Sequence, residues 1–220
     1  NRLEAAKDVA AEFINGRPND NIGITLFAGE SFTQCPLTVD HAVLLDMIHN
    51  IKCGLIEDGT AVGMGIANAV TRLKDSKAKS KVIILLTDGT NNKGDISPMT
   101  AAEIAKSFGI RVYTIGVGTN GMAPYPYPVG NTVQYVSMPV EIDEKTLTQI
   151  AGTTDGNYFR ATSNSKLKEV YEEIDKLEKT KLNVKEYSKR DEEYHWFALA
   201  AFLCVLLEVL LRNSILKKIP

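Results

Sequence analysis

The sequence of 220 residues is long enough for one globular domain with a short extension, and its 44% hydrophobic content excludes a disordered chain. Its 25 Lys and Arg residues are balanced by 27 Asp and Glu, so a net charge of −2 offers no excess of positive charge to nucleic acid. Three scattered cysteines, Cys35, Cys53 and Cys204, exclude a disulfide scaffold and the paired spacings of a zinc site.

The first residues already carry a helical pattern. Apolar residues recur every three or four positions from Leu3 to Ile14, and Asn15-Gly16 with Pro18 beyond predicts where this helix ends. Because the chain begins at Asn1, inside the helix and without a methionine, we interpret the sequence as a fragment that lacks an upstream strand and its loop.

Strand and helix patterns then alternate as far as residue 180, which predicts an α/β sheet with helices on both faces. Residues 22–28 and 32–37 are expected to form a hairpin, and 82–86 (VIILL) is typical of a strand buried on both faces. Further strands are predicted at 111–117 and 157–161, and further helices at 39–51, 60–73, 98–108, 144–151 and 165–177.

A different segment follows the domain. Residues 196–211 hold fifteen apolar residues and one charge, Glu208, without the polar stripe of a soluble helix. Sixteen residues span about 24 Å, so a crossing of the roughly 30 Å hydrocarbon core needs residues on either side. We predict a transmembrane helix at 194–216, after a polar juxtamembrane linker at 181–193 and before a short basic tail at 217–220. The alternative is a buried helix of a soluble protein.

The charges beside this segment predict its orientation. Arg212, Lys217 and Lys218 follow it without acidic neighbours, whereas 191–193 (DEE) precede it. Because positive residues favour the cytoplasmic side, we expect a cytoplasmic C-terminus and a globular domain outside.

Two short motifs are candidate sites. Asp88 follows the most buried strand, where sites of α/β sheets gather, and can present a carboxylate oxygen to a cation; the alternative is an ordinary turn residue. Thr60, at the start of the 60–73 helix, can turn its hydroxyl to an anion or an oxygen-ligated metal. The alternative there is that Asp58 or Thr60 caps the helix.

Enzyme motifs are not supported. Residues 116–121 (GVGTNG) fit a dinucleotide-binding pattern, but the prolines of the following segment prevent the helix that such a site requires. Asp88 has no second acid two residues away, as a phosphatase loop would, and no GxSxG serine accompanies the three histidines. We therefore predict no catalytic residue, no dinucleotide and no enzymatic activity. The 125–128 segment (YPYP) is interpreted as a stiff exposed connection, with a contact surface as the alternative.

Four motifs occur in the chain in this order: 24–29 (ITLFAG), 58–60 (DGT), 82–89 (VIILLTDG) and 112–118 (VYTIGVG). With these motifs, about residues 1–180 resemble a von Willebrand factor A (vWA) domain. The chain is more closely similar to membrane-anchored Bat-type aerotolerance proteins. Four features of those proteins are matched here: the Pro-containing insert by 118–139, the YFRAT strand by 158–162, the final helix by 173–179 and the membrane span by 196–211. The resemblance implies a Rossmann-like, doubly wound and mostly parallel sheet. It also implies that the missing strand lies between the 22–28 and 82–86 strands, which would expose two strand edges.

The resemblance further implies a metal-ion-dependent adhesion site. The family builds it from a DxSxS loop, a threonine and an aspartate; Thr60 and Asp88 match the last two, whereas DxSxS occurs nowhere in the chain. Oxygen ligands imply Mg²⁺, with Ca²⁺ or Mn²⁺ as alternatives, bound by the complete protein. An acidic residue of a protein partner would fill the open position of the ion.

The function implied by the resemblance is that of a membrane-anchored interaction module. It would act with other Bat-type proteins and a MoxR-type AAA+ ATPase in oxidative-stress tolerance or envelope maintenance, at the bacterial inner membrane with the vWA domain in the periplasm. Two alternatives stay open: a metal-independent structural membrane subunit, and a phosphoryl-transfer or hydrolytic enzyme that uses Asp88.

Overall fold

The computed structural model describes residues 2–52, 54, 56–118, 121–129, 132–140, 142–187 and, between 198 and 211, 198, 199, 201–203, 205, 208, 209 and 211. The chain divides into two compact units, Asn1–Lys179 and Thr180–Pro220. The elements in chain order are α1 (Arg2–Asn15), β1 (Ile22–Phe27), β2 (Ser31–Thr38), α2 (His41–His49), α3 (Val62–Leu73), β3 (Lys81–Thr87), α4 (Pro98–Ser107), β4 (Ile110–Val117), β5 (Gly121–Val129), β6 (Thr132–Val140), α5 (Glu144–Thr153), β7 (Tyr158–Ala161) and α6 (Asn164–Tyr187).

The centre of the first unit is a parallel sheet in the order β3-β4-β7. Strands β3 and β4 pair in continuous register from Lys81 opposite Ile110 to Thr87 opposite Gly116. Both strands therefore end at the same edge of the sheet, and the loop that carries Asp88 begins there.

Helices cover both faces of this sheet, as predicted. Ile83 and Leu85 of β3 face a core formed with α3, α4 and α5. Val82, Ile84 and Leu86 face the opposite core, formed with α1 and α6. This alternation explains why the VIILL run is apolar at every position: successive side chains of a strand point to opposite faces, and both faces are covered.

The predicted hairpin is confirmed, and it forms a separate sheet. Strands β1 and β2 pair antiparallel with each other, and the described strands include none that joins β1 to β3. Helix α1 contacts both sides of this division: Val9 packs in the core beside β3, and Ile14 packs against the hairpin. Among the described strands, β1 therefore pairs only with β2, and β3 only with β4.

The proline-containing insert contains a second hairpin, which the sequence pattern does not predict. Strands β5 and β6, nine residues each, pair antiparallel from Gly121 opposite Val140 to Val129 opposite Thr132. The sequence pattern predicts no strand in this segment, yet a proline is compatible with a strand wherever its nitrogen points away from the partner strand. Whether 125–128 is a stiff exposed connection or a contact surface stays a prediction.

Helix boundaries differ from the sequence pattern by a few residues. Helix α2 begins at His41 rather than at 39, because the Asp40 side chain accepts a hydrogen bond from the Val43 amide and caps it. Helix α6 continues to Tyr187, so the first residues of the predicted 181–193 linker are helical.

The second unit contains the end of α6 and helical positions between 198 and 211. Within the described part of the chain, no helix combines the length and apolar character that a membrane crossing requires. Most of the predicted 194–216 helix and the whole 217–220 tail lie outside the described residues, so that helix stays a prediction.

Candidate functional site

The two candidate loops meet at the carboxyl edge of the parallel sheet. Asp88 follows β3 and is exposed, whereas Thr60 precedes α3 and is half-buried. A methyl group placed on Gly89 would lie 3.0 Å from the Thr60 hydroxyl oxygen, so the hydroxyl is next to the backbone that carries Asp88. The structure therefore brings together the two residues that the sequence singled out, 28 positions apart in the chain.

Asn92 holds the two loops in this arrangement. Its Oδ1 accepts a hydrogen bond from the Thr60 amide at 2.9 Å, and its own amide donates to the Thr60 carbonyl at 3.0 Å. The Lys93 amide reaches the same carbonyl at 3.4 Å. Because both backbone groups of Thr60 are bound by one neighbouring residue, the threonine loop is positioned by the aspartate loop.

The same loop also supplies a hydrogen-bond acceptor for a backbone amide at the start of α3. Asn91 Oδ1 accepts a hydrogen bond from the Val62 amide at 2.9 Å. Ala61 occupies the N-cap position, and no side-chain hydrogen bond from that residue caps the helix. The alternative in which Asp58 or Thr60 is the helix cap is therefore wrong: the N-cap is Ala61, and the acceptor comes from Asn91, 29 residues further along the chain.

The threonine loop is also fixed to the end of the first hairpin. The Gly29 amide donates to the Glu57 carbonyl at 2.8 Å, and the Ala61 amide donates to the Ala28 carbonyl at 2.6 Å. A Cβ on Gly29 would lie 2.8 Å from the Glu57 carbonyl oxygen, which makes glycine necessary for this close approach.

A third group of polar contacts lies at the end of β4, the strand beside β3. Arg160 donates from Nε to the Gly118 carbonyl at 3.0 Å and from Nη1 to Glu144 at 2.6 Å. At the start of α5, Asp143 accepts hydrogen bonds from the side chain and the backbone of Thr146, which lower the pKa of Asp143. These contacts fix the backbone from which the β5–β6 hairpin departs.

The donor set fits a hard cation but is incomplete. Thr60 offers a hydroxyl oxygen and Asp88 a carboxylate, which are the ligand types that Mg²⁺ and Ca²⁺ prefer. The described residues contain no cluster of three or more His, Cys, Asp or Glu side chains that could hold a metal ion. Since the chain also has no DxSxS, Thr60 and Asp88 would form only part of a coordination shell.

An α/β sheet covered on both faces, with a threonine loop joined to an aspartate loop at its carboxyl edge, defines a vWA-type domain. Residues 1–173 match the von Willebrand factor type A domain, and the chain belongs to this family.

Within the family, the chain is similar to Bat-type proteins. It shares 33% identity and a TM-score of 0.70 with BatB from Bacteroides thetaiotaomicron, over 81% of this chain and 89% of that structure. An aerotolerance-related membrane protein from Bacteroides fragilis shows 30% identity and a TM-score of 0.69, over 80% and 87%. The resemblance to Bat-type vWA domains is thereby confirmed.

The curated relatives are longer than this chain. A UPF0353 protein from Mycolicibacterium paratuberculosis is 31% identical over 187 residues, which cover 78% of this chain and 52% of that protein. An uncharacterized protein of Borreliella burgdorferi is 27% identical over the whole chain, which spans 64% of that relative. The chain thus spans between about half and two thirds of these proteins.

A more distant structure bears on the metal. Proximal thread matrix protein 1 from the mussel byssus, described with a zinc-occupied MIDAS motif, is 25% identical with a TM-score of 0.61, over 79% of this chain and 40% of that protein. A divalent metal site therefore occurs in a related fold.

Sequence reasoning found Thr60 and Asp88 but missed Asn91 and Asn92. Both asparagines are exposed and follow Asp88 closely, in a stretch without apolar side chains, 87–95 (TDGTNNKGD). Two adjacent asparagines in a loop are commonly turn residues, so no sequence signal indicates that they bind a segment 29 to 32 residues earlier.

Proposed function

We propose that the chain is a membrane-anchored interaction module that binds a protein partner through a divalent ion held in part by Thr60 and Asp88. The observation that carries this proposal is the contact between the two loops, in which Asn92 bonds both backbone groups of Thr60. An oxygen-rich pair that is positioned by backbone hydrogen bonds suits an ion whose remaining position is open to a ligand from outside.

The chemistry of the site favours a carboxylate on the partner. A hard cation takes oxygen ligands, and an acidic side chain adds both an oxygen and a compensating charge. Mg²⁺ is the first choice of ion, with Ca²⁺ and Mn²⁺ as alternatives. No reaction is assigned to the chain itself, so the proposal is a binding function rather than an enzymatic one.

The wider setting is proposed from the named relatives. Similarity to an aerotolerance-related membrane protein supports anchoring by the 194–216 helix, with membrane lipid around it, in the inner membrane of a bacterium. The vWA domain would then lie in the periplasm. We further propose that other Bat-type proteins and a MoxR-type AAA+ ATPase are its partners, in oxidative-stress tolerance or envelope maintenance.

The metal assignment is tested by calorimetric Mg²⁺ titration of the full-length protein. Asp88→Ala and Thr60→Ala should each weaken binding, whereas Asp95→Ala, which removes an exposed carboxylate from the same loop, should not. Equal binding by all the variants would overturn the site assignment. Absence of binding by the unaltered protein would favour the metal-independent structural subunit.

The orientation needs a reporter on the described surface. Cys35 is unsuitable because it is buried, and Cys53 lies outside the described residues. Lys106 on α4 is exposed, so Lys106→Cys places a thiol on the surface of the vWA domain. Labelling of that thiol in intact cells by a membrane-impermeant maleimide would support a periplasmic domain, whereas labelling only after lysis would contradict it.

A further inference from the structure

The two edges of the β5–β6 hairpin are chemically different. In an antiparallel pair, residues alternate between those whose N–H and C=O groups face the partner strand and those whose groups face outward. A proline has no N–H, so inside a hairpin it belongs at an outward position. The hairpin contains four prolines, Pro124, Pro126, Pro128 and Pro139.

The register places all four prolines in the same alternate set of pairs. Pro124 is opposite Ser137, Pro126 opposite Tyr135 and Pro128 opposite Val133. Pro139 belongs to the same set through its pairing with Met122. Because all four prolines belong to this set, it is the set whose backbone N–H and C=O groups face away from the partner strand. On the outer edge of β5, three outward positions in a row are prolines, which cannot donate a backbone hydrogen bond. The outer edge of β6, in contrast, presents the backbone N–H groups of Val133, Tyr135 and Ser137.

The hairpin is also free of charge. Residues 121–129 and 132–140 contain no Asp, Glu, Lys, Arg or His, in a chain of which 24% is charged. Natural proteins usually protect a strand edge with charged residues, prolines or a covering element. Here β5 is protected by its prolines. Strand β6 has no charged residue and only one proline, near its end. In the described strands β5 and β6 pair with each other alone.

We propose that β6 pairs edge to edge with β6 of a second copy of the chain. Around a two-fold axis at Tyr135, Val133 of one copy would pair with Ser137 of the other, and the outward N–H and C=O groups of both copies would be satisfied. The absence of charge means that two identical strands do not repel each other. The resulting four-stranded sheet, β5-β6-β6-β5, ends on both sides at a proline-blocked edge, so the assembly closes at two copies instead of growing into a fibre.

The test uses the full-length protein carrying either of two affinity tags, expressed together and purified from membranes. Tyr135→Pro removes the central outward N–H without removing a hydrogen bond of the hairpin, whereas Tyr135→Ala removes the ring and keeps the N–H. The unaltered chain and Tyr135→Ala should co-purify with the differently tagged copy. Tyr135→Pro should reduce co-purification about tenfold or more, because both central hydrogen bonds of the two-fold pair are lost.

Hydrogen exchange distinguishes loss of the β6–β6 pairing between copies from unfolding of the β5–β6 hairpin within each copy. The inward amides of Gln134 and Val136 should stay protected in Tyr135→Pro, and the outward amides of Val133 and Ser137 should become unprotected only in that variant.

Equal co-purification by all three chains would place the contact elsewhere and overturn the proposal. Failure of the unaltered chain to associate would also overturn it. Protection of the outward amides that appears only on addition of membrane extract would then assign the edge to a strand of another protein.

Discussion

Asn92 binds Thr60 through both backbone groups of the threonine, with the Thr60 amide 2.9 Å from Asn92 Oδ1 and the Thr60 carbonyl 3.0 Å from the Asn92 amide. The side-chain half of this contact can be removed by substitution while the backbone half is kept. Asn92 thus offers a way to test whether the spacing of the two loops, rather than the ligands themselves, determines metal affinity.

We expect Asn92→Ala to lower Mg²⁺ affinity of the full-length protein by about 10- to 100-fold, the usual effect of losing a group that orients a metal ligand. The measurement is calorimetric titration. Asn50→Ala is the control, because Asn50 also uses its side chain in a backbone hydrogen bond, to the Asp46 carbonyl on α2. Unchanged affinity in Asn92→Ala would show that the threonine loop is held by its other contacts.

Asn91 has a different expected effect, on stability. Asn91→Ala leaves the Val62 amide at the start of α3 without its acceptor, so the free energy of unfolding should fall by about 1 kcal/mol. Asn91→Asp keeps an acceptor oxygen and adds a negative charge at a helix N-terminus, so it should restore stability. Urea unfolding of the three proteins checks this, and an Asp variant as unstable as the Ala variant would contradict it.

Two helical glycines give a matched pair of opposite outcomes. A Cβ on Gly63 of α3 would overlap the Ile96 carbonyl oxygen, whereas a Cβ on Gly152 of α5 would meet no atom within 4 Å. Gly63→Ala should cost about 3 kcal/mol or more, because the obstacle is backbone that cannot rotate away. Gly152→Ala should be neutral or stabilising by up to about 1 kcal/mol, the difference in helix propensity. Thermal denaturation measures both, and similar melting temperatures would contradict the close approach of α3 to the 96–97 segment.

Much of the fold could be predicted because its information is local. The apolar run of β3, the helical spacing of α3 and the turn at Gly29 all lie within a few residues of the element that they specify. The position of Asp88 was predictable for the same reason, since the end of a buried parallel strand is recognisable in the sequence.

What could not be predicted depends on contacts between distant segments. The hydrogen bonds of Asn91 and Asn92 join residues 29 and 32 positions apart, and no periodicity encodes them. The β5–β6 hairpin was missed because prolines oppose a strand in general, whereas an outward position tolerates them. A single sequence does not show which positions are outward until the register is known.

Glu178 on α6 should make the free energy of unfolding depend on pH in the acidic range. Glu178 is 4% exposed, and its carboxylate accepts hydrogen bonds from Tyr113 at 2.6 Å, Ser80 at 2.9 Å and the Arg111 guanidinium. Burial alone would raise the pKa of Glu178, but these hydrogen bonds outweigh burial, and the pKa lies below its usual value of 4.5. The stabilisation is therefore fully present above pH 4.5 and is lost as the pH falls through the lower pKa of the folded state.

At neutral pH, Glu178→Gln should reduce the free energy of unfolding by about 3 kcal/mol, since it leaves Arg111 without its buried counter-charge. The difference from the unaltered protein should shrink below pH 4.5. Urea unfolding at several pH values measures it. Glu169→Gln on the same helix is the control, because the Glu169–Lys166 ion pair is exposed and should contribute less than about 1 kcal/mol. A constant difference across the pH range would rule out this role for the carboxylate.

The unpaired edges of β1 and β3 predict that residues 1–180 are unstable or aggregate when isolated. Each edge presents backbone N–H and C=O groups without a partner strand among the described residues, beside apolar side chains such as Leu26 and Ile84. A longer protein that supplies a strand between them should unfold in one cooperative transition, because α1 and α3 would then cover a continuous sheet. Differential scanning calorimetry of both proteins, with light scattering to detect aggregation, compares them. A transition of the shorter protein as sharp as that of the longer one would show that α1 and α3 hold the two sheets together without an added strand.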